Sequence, residues 1–168
     1  MRKALVLTVI VLLMAALVMA QDDIKQAPSC KYCGMDREKF AHSRMVLEYD
    51  DGTAIGTCSL HCVAIDLCLN IDKTPKSIQV ADYNNKKLID AENAFWVLGG
   101  QKQGVMTKRA KWAFKNKEDA ETFIKENGGS LVSFDEAIKG AYEDMYLDTK
   151  MIREKRKMKK MKSSEHQH

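Results

Sequence analysis

Apolar and polar positions change period several times along this chain, and each change marks an element. Residues 45–49 alternate, with Met45, Leu47 and Tyr49 on one face, which predicts a half-buried strand. Asp50-Asp51-Gly52 is a hairpin turn signal, and residues 53–57 read as the return strand. Ser59 is placed to cap a helix. Leu60, Val63, Ala64, Leu67 and Ile71 then recur at helical spacing until Thr74-Pro75 ends the element. Ser77-Ile78-Gln79-Val80 reads as a short strand.

The same order follows again. Residues 94–98 form an apolar, aromatic strand broken by Gly99-Gly100, and Lys111-Trp112-Ala113-Phe114 is a second strand. Asn116 caps a helix with Ala120, Phe123 and Ile124 inward, and Asn127-Gly128-Gly129 stops it. Leu131, Val132 and Phe134 read as a closing strand. Laying Cys58 on Phe114 superposes Ala64 on Ala120, Leu67 on Phe123 and Cys68 on Ile124. The pattern predicts an α+β fold: a ββαβ unit over residues 30–83, and a second over 84–134. Each unit is too small to bury a good core alone, so the two should pack together. Ser133-Phe134-Asp135-Glu136 is a capping box that starts a last helix over 135–154, with Ile138, Ala141, Tyr142, Met145 and Ile152 as its buried stripe. The periodicity fails beyond Lys155, and residues 155–168 read as a solvated, mobile basic tail.

The N-terminus changes the picture. Arg2-Lys3 precedes an apolar run over residues 4–20 that ends Val18-Met19-Ala20, with polar Gln21-Asp22-Asp23 after it. This is the form of a cleaved secretory signal over residues 1–20, with a linker over 21–29. A retained anchor is the weaker reading, since the run is at the short end for a membrane span. The chain is therefore read as exported to the periplasm. The net charge of +4 is unevenly placed: residues 150–162 carry a local +7 and the body over 21–149 carries −4. An exported protein with an acidic body is a poor nucleic-acid binder. The tail's Met151, Met158 and Met161 could collect copper, but a solvated charge run drawn weakly to anionic lipid or an acidic partner is the better reading.

Export also changes how the five cysteines read. In an oxidising compartment unpaired thiols tend to be oxidised, and five is an odd number. Cys30-Lys31-Tyr32-Cys33-Gly34-Met35 sets two thiols within reach of one atom, then a flexible glycine and a thioether. Thiolate and thioether together favour Cu(I), whereas zinc accepts paired cysteines but rarely methionine. A Cys30–Cys33 disulfide is the competing outcome. Cys58, His61 and Cys62 form a second group at the start of the first helix. With Cys30 and Cys33 it could close a tetrahedral Zn(II) site, or Cys62 could pair with Cys30 or Cys58 and leave His61 at the surface. Cys68 reads as a buried inert thiol, His42 as a solvent-facing histidine, and Trp96 and Trp112 as core.

Cys33-Gly34-Met35, the run from Asp90 to Gly100, Gly104-Val105-Met106, Ala113-Phe114, Gly128-Gly129 and Phe134-Asp135-Glu136-Ala137 stand in an order that resembles the NosL-type accessory proteins of nitrous oxide reductase. These are periplasmic Cu(I)-binding chaperones. The resemblance covers most of residues 30–137. It implies two ββαβ units, one Cu(I) delivered to an exported copper enzyme or taken from a copper donor protein, and Cys33, Met35 and Met106 as ligands. Cys30 and the Cys58/His61/Cys62 group are additions to the family pattern. Two other functions stay open beside Cu(I) delivery: a structural Zn(II) scaffold on the cysteines, and a thiol–disulfide oxidoreductase using Cys30 and Cys33. The last lacks a helix start behind the cysteine pair to lower a thiol pKa.

Overall fold

The structure is a computed structural model that describes residues 22–165. The signal read over residues 1–20 lies outside the described residues. Within them no helix is long and apolar enough to cross a membrane.

A short helix α1 (Asp22–Gln26) leads into a loop and then β1 (Met45–Tyr49), β2 (Ala54–Thr57), α2 (Leu60–Leu69), β3 (Pro75–Ala81) and β4 (Leu88–Asp90). The second run is β5 (Phe95–Leu98), β6 (Lys111–Phe114), α3 (Lys117–Asn127) and β7 (Ser130–Val132), closed by the long α4 (Phe134–Glu165). Both sheets are antiparallel, with strand orders β2-β1-β3-β4 and β6-β5-β7. In each unit the strand after the helix returns beside the first strand, so the predicted α+β pair of ββαβ units is what the chain forms. β4 has no counterpart in the second unit. It pairs with β3 and so extends the first sheet past the expected boundary at residue 83.

The core lies where the two sheets and α4 meet. Met45, Leu47 and Tyr49 point inward from β1, and Val63, Val80, Trp96, Ala137 and Ala141 complete the layer. Trp96 donates its indole N–H to the Ala91 carbonyl at 2.8 Å, which satisfies its one polar atom in the interior. The capping box is formed: Ser133 Oγ accepts from the Glu136 N–H at 3.2 Å and Glu136 Oε2 accepts from the Ser133 N–H at 2.8 Å.

Several expectations are corrected. The repeat is one residue out of the register read from the sequence: Thr57 ends its strand as Phe114 does, and Ser59 caps its helix as Asn116 does. Cys68 then corresponds to Lys125, not to Ile124, and it is exposed. Ile71 lies past the end of α2 and is 84 % exposed. Phe134 opens α4 instead of closing a strand, and packs on Trp96. Helix α4 runs to Glu165, so residues 155–165 continue a solvated helix where a mobile tail was expected. The two unit helices also differ in charge. α3 carries Glu118 and Asp119 in its first turn, and α2 has no acidic residue there.

Candidate metal centre

The loop before β1 is held by bonds that its sequence dictates. Cys30 donates its N–H to the Met35 carbonyl at 2.8 Å, Gly34 donates to the Cys30 carbonyl at 2.9 Å, and Ser29 bridges Asp36. The small turn needs Gly34, whose φ is +73°. Two ties fix this turn over the first sheet. Arg37, fully buried, donates to the carbonyls of Asp23, Ala27, Met45 and Thr57 and to the Asp23 carboxylate. Asp66, buried on α2, accepts from the hydroxyls of Tyr32 and Tyr49 and from Lys31 Nζ.

The consequence is that Cys30 and Cys33 meet Cys58 and Cys62. The four sulfurs lie within 4.8 Å of one another, with Cys33 to Cys58 at 3.4 Å and Cys58 to Cys62 at 3.8 Å. All are free thiols, so the disulfide pairings considered above are not formed. Zn–S bonds of about 2.3 Å put the sulfurs of a tetrahedral site roughly 3.8 Å apart, so the spacing suits one ion at the centre. Cys58 stands just before the N-cap Ser59 and Cys62 lies in the first turn of α2, so both sulfurs sit at the start of that helix. Hydrogen bonds from Cys33, Cys58 and Cys62 push the Cys30 thiol far down, whereas hydrogen bonding to Cys30, Cys33 and Cys58, together with burial, pushes Cys62 up.

His61 is not in this group. One residue before Cys62 it points round the helix, and its Nδ1 lies 3.7 Å from Asp148 Oδ2 on α4. It is buried, not at the surface, and neither of those two atoms has a hydrogen-bond partner.

Beside the thiols a cavity of about 600 Å³ opens, lined by Cys33, Met35, Phe40, His42 and Met106, with its remaining wall from the loop around Met106 and from α4. Cys33 is the one cluster thiol that reaches both spaces. Met106 adopts φ +63° in the loop between β5 and β6, a left-handed conformation that non-glycine residues enter at a cost. It is half-buried, so the loop is less open than its glycines suggested. His42 is the residue sequence reasoning misjudged. It packs against Tyr83 and Trp112, at 5.7 and 5.4 Å between ring centroids, on the cavity wall and not in solvent. Burial, with Lys86 nearby, pushes its imidazole below the usual histidine range and keeps a nitrogen lone pair free. Sequence spacing carried no signal for this, because Tyr83 comes from a distant turn and Trp112 from β6. Donors lining the cavity are thus one thiol, three thioethers (Met35, Met106 and Met151 of α4) and an imidazole, a soft set that suits Cu(I).

The sequence model of the NosL family matches residues 21–142. Among solved structures, the chain is similar to that described as the crystal structure of the copper chaperone NosL from Shewanella denitrificans. The two are 27 % identical, with 66 % of this chain and 89 % of that one covered and a TM-score of 0.53. No protein of curated function matches. A family match over most of the described body, on a fold that repeats the ββαβ unit twice, settles the assignment: the chain belongs to the NosL family.

Proposed function

We propose that this protein is an exported copper-binding accessory protein that holds Cu(I) and passes it to a copper enzyme of the nitrous oxide reductase kind. The observation that carries the reading is the position of Cys33, at the boundary between a buried thiol cluster and a cavity lined by Met35, Met106 and His42. Membership of the family and likeness to a copper chaperone support it. Cys33, Met35 and Met106 are the proposed Cu(I) ligands. A site of few soft donors at an open cavity can be entered by a partner's ligand, which suits transfer. The secretory form of residues 1–20 supports a periplasmic location, and the basic end of α4 would give weak contact with an anionic surface.

Anaerobic Cu(I) titration against a competing chelator tests this. Cys33→Ser should weaken uptake strongly. Met106→Leu, close in volume, should leave thermal stability unchanged and weaken Cu(I) but not Zn(II). Uptake indifferent to Cys33→Ser would sink the proposal, and lower stability with unchanged affinity would make Met106 a packing residue.

A second reading rests on the four thiols alone. Cys30, Cys33, Cys58 and Cys62 at tetrahedral spacing could hold Zn(II) as a scaffold. Elemental analysis of protein purified without added metal decides it: one tightly held zinc whose chelation unfolds the chain favours the scaffold. The oxidoreductase reading has less behind it, because Cys30 is buried and the nearby residues form a turn, not a helix start.

A further inference from the structure

Helix α4 continues past residue 142, where the family match ends, and that extension does not leave the body at once. Its path is set by a stripe of residues three to four apart: Asp144, Asp148, Met151 and Lys155. Asp144 Oδ2 accepts from Arg109 Nε at 2.9 Å and from Lys111 Nζ at 2.7 Å. One turn on, Asp148 Oδ1 accepts the backbone N–H of Lys108 at 3.1 Å. Both contacts are to the loop and strand that follow Met106. The next residue of the stripe is Met151, which lines the same cavity as Cys33, Met35 and Met106. Beyond it, Arg156 Nη2 donates to the Cys33 carbonyl at 3.1 Å. The helix is therefore fastened on both sides of Met151: to the loop that carries Met106, and to the loop that carries Cys33.

We propose that Met151 supplies a further thioether to the Cu(I) site and that α4, from Met151 to Arg156, forms its outer wall. The inference rests on the copper reading of that cavity and adds a ligand from outside the family-matched segment. Packing alone does not require sulfur at this position. Met151 is half-buried against an open cavity, with Ile152 beside it supplying the apolar contact. Sulfur there adds a soft donor opposite two others, and three thioethers with one thiolate select Cu(I) over zinc.

The test uses the full-length mature chain, reduced and free of oxygen, with Cu(I) alone as the probe and a chromophoric chelator as competitor. Four forms are compared: the unsubstituted chain, Met151→Leu, Met158→Leu as a helix control that does not line the cavity, and Cys33→Ser. Met151→Leu should lower Cu(I) affinity at least about tenfold, the low end of what disturbing a metal ligand's partners costs. It should leave Zn(II) binding and melting temperature unchanged and remove sulfur from the copper X-ray absorption shell. Met158→Leu should match the unsubstituted chain. If Cys33→Ser abolishes binding while Met151→Leu binds like the unsubstituted chain, the copper reading stands and this proposal falls. Equal losses from Met151→Leu and Met158→Leu would also overturn it, because the helix would then be a non-specific collector. No uptake by the unsubstituted chain, or none lost in Cys33→Ser, overturns both.

Discussion

Asp23 Oδ2 accepts from Arg37 Nη2 at 2.8 Å, and this pair joins the first residues after the linker start to the loop that carries the thiols. Arg44 Nε reaches the same oxygen at 2.9 Å. Two guanidiniums almost without exposure thus share one carboxylate. Burial pushes the Arg37 guanidinium down, and Asp23 opposes that shift.

Replacing Asp23 with alanine leaves two buried cations without their anion. Removing one partner of such a pair costs roughly 3–5 kcal/mol. Denaturant unfolding of Asp23→Ala should show a loss of that order, as should a chain begun at Ala27. A loss under about 0.5 kcal/mol, typical of surface substitutions, would mean the pair is solvated in practice.

Burial alone would push the Asp144 carboxyl up, but hydrogen bonds from Arg109 and Lys111 outweigh it and hold the group below the usual aspartate range. The unfolded chain then binds this proton more readily. Its contribution is complete above roughly pH 4 and is lost as pH falls through the folded value. Unfolding curves taken at steps from neutral to acid should show a shallower loss of stability in Asp144→Asn than in the unsubstituted chain. Parallel curves would rule out Asp144 as a source of the acid sensitivity.

The five thiols differ in exposure, so they should differ in rate. Cys68 is exposed, Cys33 is half-buried, and Cys30, Cys58 and Cys62 are buried. A thiol reagent added to the folded, reduced protein should react fast with Cys68, a phase lost in Cys68→Ser, faster with Cys33 at the cavity than with the rest of the cluster, and slowly with Cys30, Cys58 and Cys62. Fast-phase amplitude unchanged by Cys68→Ser would contradict the exposed position of Cys68.

Ser133→Ala removes the reciprocal cap at the start of α4 and should cost about 1 kcal/mol by denaturant unfolding. The same substitution at Ser59, whose side chain makes no cap bond, should cost less. Equal costs would show that the α4 cap is no stronger than backbone solvation.

The alternation of β1, the capping box before α4 and the order of both ββαβ units could all be read from the chain, because local period and cap chemistry decide them. The one-residue slip in the repeat could not. It depends on where each strand ends against its neighbour, and Cys68 was misplaced with it, whereas Ile71 was misplaced because α2 stops at Leu69. Cys33 and Met35 announce themselves by spacing. His61 does not reveal that it turns away, since only α2's rotation separates it from Cys62. The continuation of α4 was hidden because residues 155–162 are mostly basic and its two methionines, Met158 and Met161, are exposed and mark no buried face. The stripe to Met151 runs through Asp144 and Asp148, polar residues which a search for apolar period passes over.

The first turn of α2 holds no carboxylate, whereas α3 has Glu118 and Asp119. The positive end of α3 is therefore answered by fixed charge. The positive end of α2 has no such fixed charge and is faced by the sulfurs of Cys58, just before the helix, and Cys62, within it. A carboxylate keeps its charge at neutral pH under any redox condition. Sulfur is charged only as thiolate, a form that a bound ion favours and that protonation or oxidation removes. The start of α2 is in this sense a gauge of what the sulfurs hold, and backbone amide exchange at its first turn should quicken when the cluster is emptied while that of α3 stays constant.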